Sequence, residues 1–301
     1  MGITHFTGLG KSPGAVTSGL SYIKHEYGER TKYGAMVERV IIFTSKNIVD
    51  GKEKAIPSVY NEYMTREWKK DVRSNNSLEI VEDFLKCEFS DIDIRVYVVD
   101  VNDFEDCFRI ITQALLKFHP RGKTGKHIWV NITGGTNILN AALMQVVYLS
   151  GFIPVMYYTF IANLQQDGKY LQPFSGDEAE FLFKRLDVFK TNFDIRFRYI
   201  LEKLENIDEF INDQELLSRL KNCHPDLFER MDITLFRRDY LNIMDGWCLE
   251  REESNIRINN NGKNLLSRIR SPLFSMLVGE EYSRDTEKLT AELKDREIRR
   301  S

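Results

Sequence analysis

The sequence predicts an α/β protein, a Rossmann-like, mainly parallel sheet flanked by helices, followed by an α-rich second domain. Three observations support this fold class. Apolar runs of strand and helix length alternate through the first half of the chain, and two glycine-containing turns each join a strand to a helix. From about residue 193 the pattern changes to one helix after another.

The first half contains five apolar runs of strand length, separated by runs with helical spacing. The predicted strands are Thr4–Leu9, Val37–Thr44, Asp93–Asp100, His127–Ile132 and Ile153–Phe160. The predicted helices are Ala15–Glu26, Ile56–Arg73, Leu78–Lys86, Phe104–Phe118 and Asn137–Leu149. Strands separated by helices require a parallel sheet covered on both faces, and ligands of such sheets lie beyond the carboxyl ends of the strands.

The most informative turn is Thr133-Gly134-Gly135-Thr136, which leads into a helix that begins at Asn137. Two adjacent glycines let the backbone approach a ligand closely, and the helix contributes the positive end of its dipole. Two hydroxyls and an amide beside these donors suit a phosphate, a ribose or a nucleobase edge. This turn therefore predicts a nucleotide-type site.

A second turn of this kind, Gly10-Lys11-Ser12-Pro13-Gly14, follows the first predicted strand. Pro13 suits the first helical turn and Ser12 the N-cap. A phosphate-binding P-loop would need glycine at His5, and a dinucleotide fingerprint would need glycine at Pro13, so both motifs are excluded. Either Ser12 merely caps the helix, or the two turns form one site.

Composition limits the protein class. The 301 residues suit one large domain or two smaller ones. A net charge of −3 argues against a wholly basic nucleic-acid binder but leaves room for a local patch. We expect no membrane insertion, since no signal segment or long apolar run is present, and we expect a cytoplasmic protein, since the cysteines suggest a reducing compartment. The cysteines form no CxxC pair and predict neither zinc nor disulfides: Cys87, Cys107, Cys223 and Cys248.

The second half predicts helices at Phe193–Leu204, Asp213–Leu220 and Ile233–Met244. A strand, a turn, a return strand and a capping helix follow, in the order of a winged helix-turn-helix. Ile233–Met244 would be the recognition helix and Glu250–Ile258 the wing. The candidate DNA phosphate contacts are Arg237, Arg238, Arg257 and Lys263. The alternative is that this module serves dimerisation or protein docking.

These motifs together resemble the CRISPR-associated Rossmann-fold (CARF) proteins. The resemblance rests on the Thr-Gly-Gly-Thr turn, the Gly-x-Ser-Pro-Gly-x-Val-Thr loop and the winged-helix pattern. Within this family the chain looks most like the archaeal-type ring nucleases, which share the Ser-Pro-Gly loop. It implies a CARF domain over residues 1–175, a linker helix and winged helix over 176–280, and a charged helix or tail over 281–301.

The resemblance implies a homodimer whose symmetric pocket binds a cyclic oligoadenylate, most often the tetramer, from type III CRISPR antiviral signalling. The ligand contacts would be Gly10, Pro13, Gly14, Thr133, Gly134, Gly135 and Thr136. Family members that cut the ring use no metal or other cofactor, because a ribose 2′-hydroxyl attacks the adjacent phosphate. Ser12 would position the phosphate or nucleophile, with Asn137 and Lys11 beside it. Asn137 stands where the family has a lysine. Because asparagine carries no charge, it should stabilise the transition-state phosphate less than a lysine would.

Two alternatives to a ring nuclease stay open at this point. The chain can be a cyclic-oligoadenylate-responsive transcription regulator that binds the ring without cutting it. It can also be an ordinary nucleotide-binding protein outside CRISPR biology. Arg219 and His224 match the Arg-x4-His spacing of HEPN ribonucleases, but Pro225 breaks the helix that such a motif requires, so a chance match is the preferred interpretation.

Overall fold

The computed structural model describes residues 2–24, 37–55, 76–89, 91–118, 127–151, 153–159, 183–188, 193–207, 209–278 and 286–298. The predicted helix Ile56–Arg73 lies outside the described residues. The chain forms two compact units. Unit 1 comprises Met1–Thr191 and Tyr282–Ser301, and unit 2 comprises Asn192–Glu281.

The strands of the described residues number ten. They are β1 (Ile3–Leu9), β2 (Val37–Thr44), β3 (Asp93–Val98), β4 (His127–Asn131), β5 (Val155–Thr159), β6 (Phe183–Leu186), β7 (Ile211–Asn212), β8 (Leu249–Glu252), β9 (Asn255–Ile258) and β10 (Glu297–Ile298). Unit 1 contains a seven-stranded sheet in the order β10-β3-β2-β1-β4-β5-β6. The five central strands are parallel, while β6 and β10 pair antiparallel at the two edges. This topology confirms the predicted α/β class and all five predicted strands.

The helices of unit 1 in the described ranges are α1 (Gly14–Tyr22), α2 (Lys46–Val49), α3 (Ser77–Glu88), α4 (Phe104–Phe118) and α5 (Asn137–Ser150). Unit 2 contains α6 (Ile195–Glu205), α7 (Asp213–Cys223), α8 (Pro225–Phe228), α9 (Ile233–Phe236), α10 (Asn242–Met244), α11 (Asn260–Ile269) and α12 (Pro272–Val278). Two short helices, α13 (Thr286–Leu289) and α14 (Leu293–Arg296), return to unit 1. No helix in the described ranges has the length and apolar character needed to span a membrane.

The strands in the middle of the sheet, β1 and most of β2, are buried on both faces. Every residue of β1 is buried, and so are the last five residues of β2. Parallel strands covered by helices on both sides carry continuous apolar runs rather than an alternating pattern. This is why Val40-Ile41-Ile42-Phe43 reads as an unbroken hydrophobic segment.

Unit 2 has its own core and a small antiparallel sheet in the order β7-β9-β8. The β8–β9 hairpin lies where the return strand was predicted, with α11 directly after it. The predicted helix Ile233–Met244 is helical throughout, but Arg237–Leu241 forms a π-helical turn between α9 and α10. The core side chains of this unit include Leu216, Phe228, Phe236, Leu241 and Leu266.

The unit boundaries differ from those expected. Unit 1 extends beyond residue 175 because β6 pairs with β5. Within the expected charged helix or tail over 281–301, residues 286–298 form two short helices and a strand that belong to unit 1. There the side chain of Leu293 is fully buried, and β10 adds to the sheet beside β3.

Candidate functional site

The carboxyl ends of β1 and β4 flank the point at which the strand order reverses. The chain passes from β1 through β2 to β3 on one side of the sheet and then crosses to β4 on the other side of β1. Ligands of open parallel sheets bind beyond the strands at such a switch point. The N-terminal turn (residues 8–14) and the Gly-Gly turn (residues 133–136) both lie there, as the sequence predicts.

The two turns pack against each other backbone to backbone. A Cβ built on Gly134 would lie 2.3 Å from the carbonyl oxygen of Gly8, and one built on Gly8 would lie 2.7 Å from the oxygen of Gly134. Gly135 has a φ of +89°, a conformation that disfavours other residues. The glycines are therefore needed for the contact between the turns, in addition to any approach of a ligand.

Asn131, for which the sequence pattern predicts no role, ties the two turns together. Its fully buried amide donates a hydrogen bond to the carbonyl of Ala15 at 2.9 Å. Its Oδ1 accepts from the N–H of Thr133, also at 2.9 Å. One side chain thus links the start of α1 to the start of the Gly-Gly turn. The available sequence signal is a polar amide at the end of an otherwise apolar strand.

Both threonine hydroxyls of the Gly-Gly turn have internal partners. The hydroxyl of Thr133 accepts from the N–H of Thr159 at 2.7 Å. The hydroxyl of Thr136 caps α5 by accepting from the N–H of Leu139 and donates to the carbonyl of Val101 at 3.0 Å. The donors best placed for a ligand are therefore the backbone N–H groups at the start of α5, which any helix leaves without internal acceptors.

The N-terminal turn differs from the expectation in its cap. The N-cap of α1 is Pro13, and the Ser12 side chain makes no capping bond. Within the described residues we find no partner for the Ser12 hydroxyl, which is half-buried. Because Ser12 does not cap the helix, its hydroxyl is open to a ligand. Pro13 and Gly14 are buried, whereas Gly10 is half-buried.

Lys11 and Asn137 present polar groups at the surface of the site. The Lys11 ammonium lies 3.4 Å from the carboxylate of Glu53, and half of its side chain is exposed. Such exposed ion pairs contribute little to the stability of the fold, so the lysine can readily change partners. Asn137 is exposed on the first turn of α5.

A cleft of about 640 Å³ opens beside the two turns, a volume typical of small-molecule sites. It is bounded by the carboxyl ends of β1, β2 and β3, the start of α5, and the C-terminal segment. Its lining comprises Leu9, Gly10, Lys11, Ser45, Lys46, Asn47, Ile48, Glu53, Val98, Val99, Asp100, Val101, Asn102, Gly135, Thr136 and Arg296. Of the predicted site residues, Gly10, Lys11, Gly135 and Thr136 line this cleft. Asn137 lies in α5, and the other residues predicted for this site lie on the two turns.

A buried polar pair supports the sheet below the turns. Nε2 of His5 and the hydroxyl of Tyr157 are hydrogen-bonded at 2.5 Å, and both side chains are fully buried. Burial lowers the pKa of His5 to about 3 and raises that of Tyr157 well above its usual value. Both groups are therefore neutral at pH 7 and belong to the scaffold.

The cations predicted to meet DNA in unit 2 are mostly paired with acids. Arg237 donates two hydrogen bonds to the buried carboxylate of Asp213, at 2.6 and 2.8 Å. The neighbouring Arg238 pairs with Asp239 at the surface. Although 40% of its side chain is exposed, the guanidinium of Arg237 is therefore committed to a buried carboxylate rather than to a phosphate.

The remaining two cations lie on or near the β8–β9 hairpin. Arg257 pairs with Glu250 and stacks 4.6 Å from the ring centroid of Phe210. Lys263 is exposed, and no acid within the described residues pairs with it. Lys263 is thus the member of the set best placed to contact a phosphate.

The Arg-x4-His match does not form a catalytic pair. Arg219 pairs with Glu215 one helical turn away, while His224 stacks on Tyr199 at 3.8 Å between ring centroids. α7 ends at Cys223, directly before His224 and Pro225. The helix break predicted from Pro225 is confirmed.

The described residues contain no group of three or more His, Cys, Asp or Glu side chains arranged to hold a metal ion. Cys107 and Cys248 are buried free thiols, and Cys87 and Cys223 are exposed ones.

Comparison with known proteins finds distant likenesses. No protein-family model matches the chain. An uncharacterized protein of Archaeoglobus fulgidus is 27% identical over 209 residues, which cover 58% of this chain and 60% of that relative.

Two solved structures are similar at low identity. Enterococcus italicus Csm6 bound to cyclic hexa-2'-fluoro-hexa-dAMP is 14% identical, with 98% of this chain and 60% of that chain covered and a TM-score of 0.39. The protein VC1899 from Vibrio cholerae is 10% identical, with coverages of 92% and 66% and a TM-score of 0.34. The chain thus spans about 60% of the length of the Archaeoglobus relative and of Csm6. None of these likenesses assigns it to a family.

Proposed function

We propose that this chain binds a cyclic oligoadenylate, the tetramer, at the switch point of its sheet and slowly cuts the ring. The observation that carries the proposal is the direct packing of the two glycine turns beside a cleft of about 640 Å³. Backbone donors at the start of α5 and the cations of the cleft suit the phosphates of such a ring. The CARF-like motifs of both turns supply the identity of the ligand.

A homodimer is part of this proposal. The ring has rotational symmetry, and two copies of the same site related by a twofold axis would repeat the same contacts on each half of it. One cleft then holds half of the ligand. This arrangement also explains why the exposed Asn137 and Ile138 lie at the start of α5, where a second copy would cover them.

Ring cutting requires only positioning and charge stabilisation. A ribose 2′-oxygen attacks the adjacent phosphorus, the bond to the 5′-oxygen breaks, and the leaving oxygen takes up a proton as the 2′-hydroxyl loses one. The product is one linear oligoadenylate with a 5′-hydroxyl at one end and a 2′,3′-cyclic phosphate at the other. Ser12 offers an unpartnered hydroxyl to hold the reacting phosphate, and Lys11 can leave its exposed pair with Glu53 to approach it. Asn137 donates without charge, so turnover is slow.

The test is incubation of the protein with radiolabelled cyclic tetra-adenylate in EDTA. We expect a linear product that disappears in Ser12→Ala and persists in Ser267→Ala, a matched control at an exposed position of α11. Asn137→Lys should accelerate cutting. Tight binding without any product would refute the nuclease part, and failure to bind any cyclic oligoadenylate at micromolar concentration would refute the sensor.

A second candidate function is ligand-responsive DNA binding by unit 2. The order helix, strand, helices, hairpin and helix favours a winged helix-turn-helix, and Lys263 beside the hairpin is exposed. The test is fluorescence anisotropy with a DNA duplex from the region upstream of this protein's gene, measured with and without cyclic tetra-adenylate. We expect Lys263→Gln to weaken binding and the ligand to change the affinity. A ligand-independent affinity would contradict this function.

A further inference from the structure

We propose that Arg296, carried by the C-terminal strap (residues 286–298), is a ligand contact of the cleft. The inference rests on the proposed function, because it takes the ligand to be a cyclic oligoadenylate. Arg296, which would bind a phosphate of that ligand, is more than 150 positions from either glycine turn in the sequence. Arg296 lines the same cleft as Gly10, Lys11 and Gly135.

The strap is held in place by the sheet. In β10, Glu297 pairs with Tyr97 and Ile298 with Val96 of β3. The carboxylate of Glu297 is nearly buried and lies 2.7 Å from Arg95 and 3.6 Å from Lys117. The hydrogen bond that Arg95 donates to Glu297 is the main cause of a raised pKa at Arg95. Arg296 directly precedes this anchored residue, so its position at the cleft is fixed by tertiary contacts.

The guanidinium of Arg296 can turn to a ligand at low cost. It is one-third exposed, donates to Asp106 at 3.1 Å and lies 3.5 Å from the carboxylate of Glu292, which also pairs with Arg109. Asp106 also accepts from Arg109 and, at 2.8 Å, from the backbone N–H of Asp100. If Arg296 moves to a phosphate, the nearly buried carboxylate of Asp106 therefore keeps a charged partner and a backbone donor.

The charge of the cleft depends on the strap. Its lining cations are Lys11, Lys46 and Arg296, against the acids Glu53 and Asp100. Arg296 is the guanidinium among them, and a planar fork recognises phosphate through two parallel hydrogen bonds. Without Arg296 the lining carries equal numbers of cations and acids, which would not favour an anionic ligand.

The topology gives this contact a consequence. The chain leaves unit 1 after β6 at one edge of the sheet and, after unit 2, returns through the strap to β10 at the opposite edge. A ligand that holds Arg296 stabilises the segment through which unit 2 is tied back to unit 1. Ligand binding should therefore slow hydrogen exchange within the strap.

The experiment compares Arg296→Gln with Lys294→Gln, which removes the same charge from an exposed position of the same strap outside the cleft lining. The probe is labelled cyclic tetra-adenylate. We expect Arg296→Gln to weaken binding about 10- to 100-fold, as loss of a charge-assisted hydrogen bond does, and Lys294→Gln to stay within about twofold. Hydrogen exchange of peptides from residues 286–298 should slow on ligand addition in the wild type but not in Arg296→Gln.

The outcomes separate the two proposals. If the wild type binds and Arg296→Gln binds equally well, the role of Arg296 is refuted while the proposed function stands. If the wild type binds no cyclic oligoadenylate, both are refuted. Arg296→Lys keeps the charge without the fork and should bind with intermediate affinity. Should Arg296→Gln fail to fold, equal affinity of Arg296→Lys and the wild type would overturn the inference.

Discussion

The contact between Gly134 and Gly8 predicts that alanine at position 134 destabilises unit 1. The new Cβ would lie 2.3 Å from the Gly8 carbonyl oxygen, where real Cβ contacts are essentially never shorter than 3.0 Å. The obstructing atom belongs to the backbone of β1, so no side-chain rotation can relieve the overlap. The two turns must separate by roughly 1 Å to restore an ordinary contact.

Overpacking of this kind costs about 1–3 kcal/mol, and the upper end applies because backbone must move. For a domain of this size 1 kcal/mol shifts Tm by about 2–4 °C, so we expect Gly134→Ala to melt roughly 6–12 °C below the wild type. Thermal and urea unfolding, followed by circular dichroism, measure the change.

The matched folding control is Gly10→Ala in the neighbouring turn. Its Cβ would meet no atom closer than 3.7 Å, which is ordinary van der Waals contact. We expect its Tm to stay within about 2 °C of the wild type, as for a substitution without a steric clash. If Gly134→Ala and Gly10→Ala melt at the same temperature, the two turns are not packed as described and the reasoning is refuted.

Three further predictions follow from buried polar groups. Because burial lowers the pKa of His5 to about 3, the unfolded chain binds a proton below pH 6.5 that the folded chain excludes. The free energy of unfolding should therefore fall by about 2 kcal/mol between pH 7 and pH 5. Urea titrations should show a smaller fall in His5→Gln. Asn131→Ala should lower the free energy of unfolding by about 2–4 kcal/mol, since two backbone groups lose their partner. It should also weaken the binding of cyclic tetra-adenylate, measured by titration. An unchanged affinity would contradict the positioning role of Asn131. Arg237→Ala should lower Tm more than Arg238→Ala, because only Arg237 neutralises the buried Asp213; equal melting curves would argue against this difference.

Local pattern sufficed for much of the fold. Unbroken apolar runs such as Val40–Phe43 of β2 predict buried parallel strands, and the switch from strand to helical spacing at the Gly-Gly turn places α5. The edge strands β6 and β10 escaped prediction because they are four and two residues long. Strands that short are stabilised by their neighbours rather than by their own composition.

The candidate site was predictable in position but not in detail. The two turns could be assigned to one end of the sheet because carboxyl ends of parallel strands share an edge. The cap of α1 was assigned to Ser12, but the helix begins after Pro13 and leaves the hydroxyl of Ser12 without a cap bond. The hydroxyls of Thr133 and Thr136 have partners from β5, α5 and the loop after β3, which no local pattern reveals.

Hydrophobic period and turn chemistry are local properties of the chain, so the α/β class, the five central strands and the two glycine turns can be predicted from the residues alone. Tertiary structure alone decided that Gly8 meets Gly134, that Asn131 joins both turns, and that Arg296 reaches the cleft. Except for the contact between Asn131 and Thr133, these contacts join residues that are more than 100 positions from each other in the sequence. Such pairings depend on strand order and register, which local sequence does not specify.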